Sequence, residues 1–447
     1  MESQSRKLTL KEKICYGFGD CGGNVTVALV GTFLPAYYTD TVGIAAAAIG
    51  TMMLVTRVFD GITDIIMGAI VDRTKTRWGK ARPWVLWTAP FVALALFLVF
   101  NVPSGLDDHG KLLWAYLTYI FQSCIVGTAN GLPYQALLSR MSLDVQDRAS
   151  ATSIRFVMTQ ITGLVVNSAT SALFMVVGWR WLSILYGIIL FIMMIACFFG
   201  TREYLGEDEE GNVKVDSVPL TESFSALLVN KYFYMQALMF ILFYIGVVGT
   251  NSMTFYYCNI VLGVPAFLTF TTISGTVPAM VVNMILPKLI YRYGKRKLMI
   301  VGSVLIIVGS IVVGSARTNL PLIMFGLILK GIGMGPIMSG IFAMTADVVD
   351  YGEWKTGVRS EGLVNSCTSF GMKVGVGLGS AVSSWILAAG GYDGLAAVQT
   401  ESAIEAIRFG YGYLGAIVQA GCLILLFIMN LDKYMKKIQE DLESRHA

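Results

Sequence analysis

Three charged side chains lie inside an apolar stretch at residues 43–71 and share one helical face. Arg57, Asp60 and Asp64 are three, four and seven positions apart, and these spacings place side chains on the same side of an α-helix. A charge in the middle of a membrane-length helix costs several kcal/mol unless it faces a partner or water. Two carboxylates one turn apart beside an arginine therefore predict a buried polar track that holds a cation.

The composition is typical of a protein that crosses a membrane many times. Of the 447 residues, 55% are hydrophobic and only 14% are charged, whereas soluble domains carry about 25% charged residues. Apolar stretches of about 20 residues, enough to cross the hydrocarbon layer, recur along the chain. The net charge of +4 gives no indication of nucleic-acid binding, and the seven cysteines show no metal-site spacing.

The hydropathy pattern predicts an all-α membrane protein with twelve transmembrane helices in two six-helix halves. We expect one half at 1–201, a cytoplasmic middle loop at 202–230, the other half at 231–431 and a cytoplasmic tail at 432–447. The predicted spans are 14–38, 43–71, 83–103, 111–139, 151–177, 181–200, 232–259, 265–290, 298–316, 320–347, 358–389 and 406–431.

Lysine and arginine residues concentrate in alternate loops and set the expected orientation. The loops after spans two and eight are strongly basic, and the loops on the other side are not. Both termini are therefore expected in the cytoplasm, with the protein in the inner (plasma) membrane. Residues 77–82 (RWGKAR) and 292–297 (RYGKRK) share the form R-aromatic-G-K-x-[RK], which indicates duplicated halves.

Motifs along nearly the whole chain resemble those of the glycoside–pentoside–hexuronide:cation symporters. This branch of the major facilitator superfamily includes melibiose permease and the glucuronide carrier. The motifs of this chain are more similar to those of the glucuronide and pentoside members. The most specific matches are the second span with its RWGK loop and ADVVDYGEWKTGVRSEG at 346–362. Further matches are YGFGDCGGN at 16–24, YYTDTVG at 37–43, NGLPYQAL at 130–137 and SFGMK at 369–373.

The resemblance implies a secondary transporter that couples entry of Na⁺ or H⁺ to uptake of a glycoside by alternating access. It implies no cofactor besides the coupling ion, which is Na⁺, Li⁺ or H⁺. We also expect a monomer that contacts the lipid bilayer and binds a sugar and a monovalent cation. No catalytic or nucleotide-binding constellation indicates an enzyme. A lipid-handling or sugar-sensing membrane protein on the same scaffold stays open as the alternative.

The resemblance also implies a cation site. Asp60 and Asp64 match the two acidic positions of the family and would be the metal ligands for Na⁺. Thr63 stands where melibiose permease has an Asn ligand, and Thr128 matches a Thr of the fourth span near the cation. Arg57 is expected to compensate the carboxylates between cation-binding events; the alternative is a purely structural Arg–Asp cluster.

For the sugar, the resemblance implies a central cavity. Arg155 and Lys373 match family positions, whereas Asn24, Gly131 and Gln135 replace two Asp residues and a Trp of melibiose permease. These changes remove the carboxylates that hold a galactoside and put such a substrate in doubt. The expected substrate-binding residues are Asn24, Asp20, Tyr134, Gln135, Arg155 and Lys373.

Two interpretations of the buried basic residues stay open. In one, Arg155, Lys373 and Lys330 face an anionic sugar such as a glucuronide. In the other, the substrate is neutral, Asp20 pairs with Arg155 or Lys373, and Lys330 snorkels or pairs with an acid such as Glu361.

Charges at the cytoplasmic ends of spans four and ten predict a gate of weak salt bridges, with solvated loop charges as the alternative. The gate residues are Arg140, Asp144, Arg148, Asp350 and Arg359. The glycine runs at 331–335 and 375–379 predict close helix packing rather than phosphate loops.

Overall fold

A computed structural model describes residues 7–74, 76–142, 145–203, 229–357, 361–396 and 398–446. Every regular element in these residues is a helix, which confirms the predicted all-α class.

The described residues fall into two compact units. The first comprises the described parts of Met1–Lys214, Val264–Thr269 and Tyr392–Val398. Its helices are α1 (Leu10–Ala36), α2 (Ala46–Arg73), α3 (Arg82–Val99), α4 (Asp108–Ile120), α5 (Thr128–Met141) and α6 (Val145–Gly200). The π-helical segment Tyr37–Val42 extends α1, and the π-helical segment Phe121–Gly127 joins α4 to α5.

The second unit comprises the described parts of Val215–Gly263, Phe270–Gly391 and Gln399–Ala447. Its helices are α7 (Lys231–Tyr256), α8 (Phe267–Tyr293, from Phe270 onward), α9 (Lys295–Ser315), α10 (Leu320–Thr356), α11 (Glu361–Ala389), α12 (Glu401–Arg408), α13 (Leu414–Ile428) and α14 (Asp432–His446). The π-helical segment Tyr257–Val261 follows α7, and Phe409–Tyr413 joins α12 to α13. The predicted tail at 432–447 contains the helix α14.

Nine helical stretches of the described chain are long and apolar enough to cross a membrane. One of them, Ser150–Gly200, is interrupted at Gly178, where φ is 73° and ψ is 164°. This break separates the predicted fifth and sixth spans, and α1 and α2 complete the twelve expected helices. The division into halves at the middle loop stays a prediction, because residues 204–228 lie outside the described chain.

The start of α1 is held by two carboxylates. Thr9 and Glu12 form a capping box, in which each side chain accepts the backbone N–H of the other residue. Asp147, near the start of α6, accepts the Leu8 N–H at 2.6 Å and contacts Lys13 Nζ at 2.9 Å. These bonds tie the beginning of α1 to α6, against which it packs.

A third carboxylate, at the end of α6, holds the beginning of α3. The Glu203 side chain is 4% exposed and accepts the backbone N–H groups of residues 80–82 at 3.0, 2.9 and 2.7 Å. Arg82 also donates from Nε to the Phe198 carbonyl oxygen at 2.8 Å. Gly79, with φ of 107°, lies against the carboxylate, so a side chain there would displace it. The basic loop after α2 is thereby fastened to α6.

Glycine pairs bring α9 and α10 into backbone contact. A Cβ on Gly302 would lie 2.7 Å from the Gly333 carbonyl oxygen, and a Cβ on Gly326 would lie 2.8 Å from the Gly309 carbonyl oxygen. Only glycine allows helices to approach this closely. The prediction that the run at 331–335 serves close packing is confirmed.

Candidate functional site

Arg57 and Asp60 form a salt bridge on α2. Arg57 Nη1 lies 2.8 Å from Asp60 Oδ2, and Asp60 is 4% exposed. The two residues are three positions apart and therefore share one face of the helix. In this arrangement the guanidinium group of Arg57 is paired with Oδ2 of Asp60, one of the carboxylate oxygens of the predicted cation site.

Hydroxyl groups surround the two carboxylates of α2. Ser123 donates to Asp60 Oδ2 at 3.2 Å, and Thr128 donates to Asp64 Oδ1 at 3.3 Å. Thr63 Oγ1 lies 3.4 Å from Thr128 Oγ1, so these hydroxyls also share a hydrogen bond. The structure thus brings the four predicted cation ligands together and adds Ser123 to them.

Ser123 was missed because its position depends on a local change of helix type. It precedes Thr128 by five residues, a spacing that does not share a face on a regular α-helix. The π-helical segment Phe121–Gly127 has a wider turn, which brings residues five apart to the same side. A serine near a predicted threonine ligand was the available signal, but the wider turn was not visible in the sequence.

The cluster can hold a small hard cation or a proton. Carboxylate and hydroxyl oxygens are the ligands that hard cations prefer. Two carboxylates this close repel each other unless a cation or a proton lies between them. Among the described residues, no group of three or more His, Cys, Asp and Glu side chains is arranged to hold a metal ion.

A second polar group lies between α1 and α6. Arg155 Nε is 3.5 Å from Asp20 Oδ2, and Thr159 donates to the same oxygen at 2.8 Å. Asp20 thus has Arg155 as its partner, one of the two pairings left open by the sequence. The two side chains remain 34% and 26% exposed, so a polar ligand can compete for them.

Tyr134 packs behind this group instead of facing an open space. Its hydroxyl donates to the Tyr16 carbonyl oxygen at 2.8 Å, and the two rings stack with centroids 4.8 Å apart. Tyr16 in turn presents its hydroxyl 3.5 Å from Arg155 Nη1. Tyr134 is therefore placed to support Tyr16, and Gln135 beside it is exposed.

Asn24 presents an unsatisfied acceptor beside α6. Its Oδ1 atom is buried without a hydrogen-bond partner and lies 3.1 Å from where a Cβ on Gly163 would be. Asn167, one turn beyond Gly163, also has an unpartnered buried Oδ1, although its amide donates to the Gly163 carbonyl. A buried unpaired acceptor costs about 1–3 kcal/mol, so both oxygens are suited to a ligand that donates hydrogen bonds.

The remaining predicted residues are dispersed. Lys373 lies half-buried on α11 in the second unit. Arg140 is 9% exposed and contacts Glu203 at 4.0 Å, a contact within the first unit that the sequence did not predict. Arg148 and Asp350 are half-buried. Two other predicted gate residues, Asp144 and Arg359, lie outside the described chain, so the gate stays a prediction.

Comparisons with known proteins agree with the sequence motifs. The family model for MFS/sugar transport proteins matches residues 15–433. The isoprimeverose transporter of Lactiplantibacillus pentosus is 32% identical over 98% of this chain and 92% of the relative. The glucuronide carrier protein homolog of Escherichia coli strain K12 is 30% identical over 99% of this chain and 97% of the relative. These matches confirm the predicted resemblance.

The architecture also matches a solved structure. The crystal structure of the nucleoside transporter NupG superposes with a TM-score of 0.65, covering 95% of this chain and 99% of that one. At 15% identity this likeness concerns the fold alone.

Proposed function

The chain belongs to the MFS/sugar transport protein family, and from this membership we propose that it is a cation-coupled glycoside symporter. Entry of Na⁺, Li⁺ or H⁺ down its gradient drives uptake of the sugar by alternating access. The observation that carries the proposal is the pair of carboxylates on α2, which lies among three hydroxyl groups and next to Arg57. The lipid-handling and sugar-sensing alternatives are not favoured by relatives that are named as transporters and symporters.

In the proposed cation site, the ion and Arg57 exchange places. Before the cation binds, the guanidinium group neutralises Asp60. The entering cation takes the oxygens of Asp60 and Asp64 together with the neighbouring hydroxyls, and Arg57 is released. Asp60 thus has a positive partner both before and after the exchange, which avoids the cost of leaving its charge unpaired in the membrane.

The proposed sugar is a glycoside of the kind named for the relatives, an isoprimeverose or a glucuronide. Asp20, Arg155 and Thr159 offer both donors and acceptors to sugar hydroxyls, and Asn24 offers an unpaired acceptor. Because Asp20 neutralises Arg155, this part of the site favours a neutral glycoside over an anionic one. Lys373 is proposed as a further ligand.

The location and assembly are part of the proposal. We propose a monomer in the inner (plasma) membrane with both termini in the cytoplasm, supported by the basic residues of alternate loops. Arg140, Arg148 and Asp350 are proposed to belong to the cytoplasmic gate.

Uptake of labelled glycosides into membrane vesicles tests the function. An imposed Na⁺, Li⁺ or proton gradient should drive sugar accumulation, and the sugar should raise cation affinity by the factor by which the cation raises sugar affinity. Asp60→Asn and Asp64→Asn should abolish accumulation but not membrane insertion. The matched control is Asp108→Asn, on a 96% exposed carboxylate, which should transport normally.

Two results would count against the proposal. Normal accumulation in both Asn variants would remove Asp60 and Asp64 from the coupling site. Failure of the unmodified protein to accumulate any glycoside under any of the three gradients would contradict symport itself.

A further inference from the structure

Lys330 places an ammonium group in the interior of the second unit. Its Nζ atom is buried and has no hydrogen-bond partner among the described residues. Taking an ammonium ion out of water costs several kcal/mol even after the protein relaxes. Lys330 Nζ lies 5.6 Å from the centre of the Tyr411 ring, and such a cation–π contact stabilises the charge by about 0.5–2 kcal/mol. The ring alone therefore leaves the charge under-compensated.

Two hydroxyl groups near Lys330 also lack partners. Thr250 Oγ1 on α7 and Ser310 Oγ on α9 are buried and form no hydrogen bond within the described chain. Serine and threonine in helices often donate to the carbonyl four residues earlier, as Thr254 does to Thr250. Buried polar atoms without a partner are uncommon in native proteins, so three in one place indicate that something else completes the group.

The three polar atoms converge on Gly415 at the start of α13. A Cβ on Gly415 would have Ser310 Oγ at 3.1 Å, Thr250 Oγ1 at 3.4 Å and Lys330 Nζ at 3.9 Å as its three nearest neighbours. The absent side chain thus leaves a position bordered by polar atoms from three other helices. This differs from the glycine pairs of α9 and α10, which face backbone carbonyl groups.

A second glycine makes room for the lysine stem. A Cβ on Gly309 would lie 2.9 Å from Lys330 Cγ, so the stem runs closely past α9 at this point. Gly309 thus makes room for the stem, and Gly415 allows the tip to lie close to the backbone of α13. The chain directs Lys330 inward and does not let it snorkel to the membrane surface.

We propose that Lys330, Thr250 and Ser310 bind a small monovalent anion, chloride, beside Gly415. Lysine supplies three donors, no acceptor and a positive charge, and each hydroxyl supplies one donor. A cation would be repelled by the ammonium group, and a water molecule would leave its charge unbalanced. A monatomic anion can also accept hydrogen bonds from all three donors at once and needs less room than a sugar carboxylate.

The bound anion joins four helices of the second unit, α7, α9, α10 and α13. Its binding should therefore stabilise the folded protein, and the stabilisation should grow with the logarithm of the anion concentration once the site is mostly occupied. The site is separate from the carboxylates of α2 in the first unit. Its test requires neither sugar nor transport, so its failure and that of the proposed symport are distinguishable.

Thermal unfolding of the purified full-length protein in detergent tests the site. The unfolding temperature is compared in sodium chloride, sodium bromide and sodium gluconate at equal Na⁺ concentration and ionic strength. We expect it to be several degrees higher in the two halides than in gluconate, because gluconate is a large organic anion that cannot enter between packed helices. Equal unfolding temperatures in all three salts would overturn the proposal.

Variants separate this site from general salt effects. Lys330→Met removes the charge and Gly415→Ala places a methyl group against the three polar atoms, so each should abolish the difference between chloride and gluconate. Lys111→Met, on a lysine at the start of α4, should keep it. A halide effect that survives in Gly415→Ala overturns the proposal even if Lys330→Met fails to fold. In crystals grown with bromide, an anomalous peak beside Gly415 supports the site, and its absence at saturating bromide overturns it.

Discussion

Arg57 Nη1 lies 2.8 Å from Asp60 Oδ2, on the helical face of α2 that also carries Asp64. In the proposed cycle, the guanidinium group and the coupling cation compete for the same carboxylate oxygen. The strength of this salt bridge then sets how readily the cation enters and leaves. A weaker salt bridge between Arg57 and Asp60 gives tighter cation binding, and a stronger salt bridge gives weaker cation binding.

Arg57→Gln should therefore tighten cation binding and slow transport. Without the guanidinium group, Asp60 keeps the hydrogen bond from Ser123 and must take its counter-charge from solution. We expect the half-saturating Na⁺ concentration to fall about 10-fold, equivalent to about 1.4 kcal/mol, and the maximal uptake rate to fall because release is slower. For Arg57→Lys, which keeps the charge, the half-saturating Na⁺ concentration should lie between those of Arg57→Gln and the unmodified protein. The cation dependence of uptake measures this, and a rise in the half-saturating concentration would contradict the exchange.

Ser123→Ala should weaken cation binding. The substitution removes an oxygen beside Asp60 while leaving the salt bridge and Thr128 in place. We expect a loss of about 1 kcal/mol, or roughly a five-fold rise in the half-saturating cation concentration. Ser139→Ala is the control, because that hydroxyl is exposed and bonds only to the Ala136 carbonyl. Equal cation dependence in both variants would remove Ser123 from the site.

The sequence predicted the fold and the acidic face of α2 because both depend on local periodicity. Apolar runs give membrane-spanning helices whatever their neighbours are, and residues three and four apart share a face. The break at Gly178 could also be predicted, since polar and glycine residues separate two apolar runs there. These features need no knowledge of how the helices pack.

Contacts between distant segments could not be predicted in this way. Glu203 looked like the start of a polar linker, yet it holds the first turn of α3. The sequence predicts Tyr134 as a sugar ligand and does not indicate that its hydroxyl donates to the Tyr16 carbonyl oxygen. Whether a polar side chain faces a ligand or a neighbouring helix is decided by packing, and a single sequence carries no direct record of packing.

Glu203→Gln should destabilise the first unit. The carboxylate accepts three backbone N–H groups at a helix N-terminus, where a negative charge is favourable. Replacing it by a neutral amide with one acceptor oxygen should cost about 2 kcal/mol and lower the unfolding temperature by several degrees. Glu405→Gln is the matched control, because Glu405 is 67% exposed and pairs only at the surface. Equal unfolding temperatures for the two variants would show that Glu203 does not hold α3.

Asp147 should make the attachment of α1 to α6 sensitive to acid. Burial alone would raise the pKa of the Asp147 carboxyl, but hydrogen bonds from the Leu8 N–H and Lys13 outweigh it, and the pKa is lowered. A carboxyl with a lowered pKa in the folded state stabilises that state above its unfolded pKa, and the stabilisation is lost as pH falls through the folded value. The contribution should therefore be complete at neutral pH, begin to fall at about pH 4, the pKa of an unfolded aspartate, and be lost as the pH passes the lower pKa of the folded carboxyl.

Asp147→Asn tests this dependence, because it removes the charge at every pH. The unfolding temperature of the variant should lie below that of the unmodified protein at neutral pH, since the Leu8 N–H and Lys13 lose a charged acceptor. The difference should shrink as the pH falls and vanish below the lowered pKa of the folded Asp147 carboxyl, where both side chains are neutral. Asp108→Asn, on an exposed carboxylate, should show little difference at either pH. If the difference in unfolding temperature between Asp147→Asn and the unmodified protein stays constant across this pH range, the charge of Asp147 does not hold the start of α1.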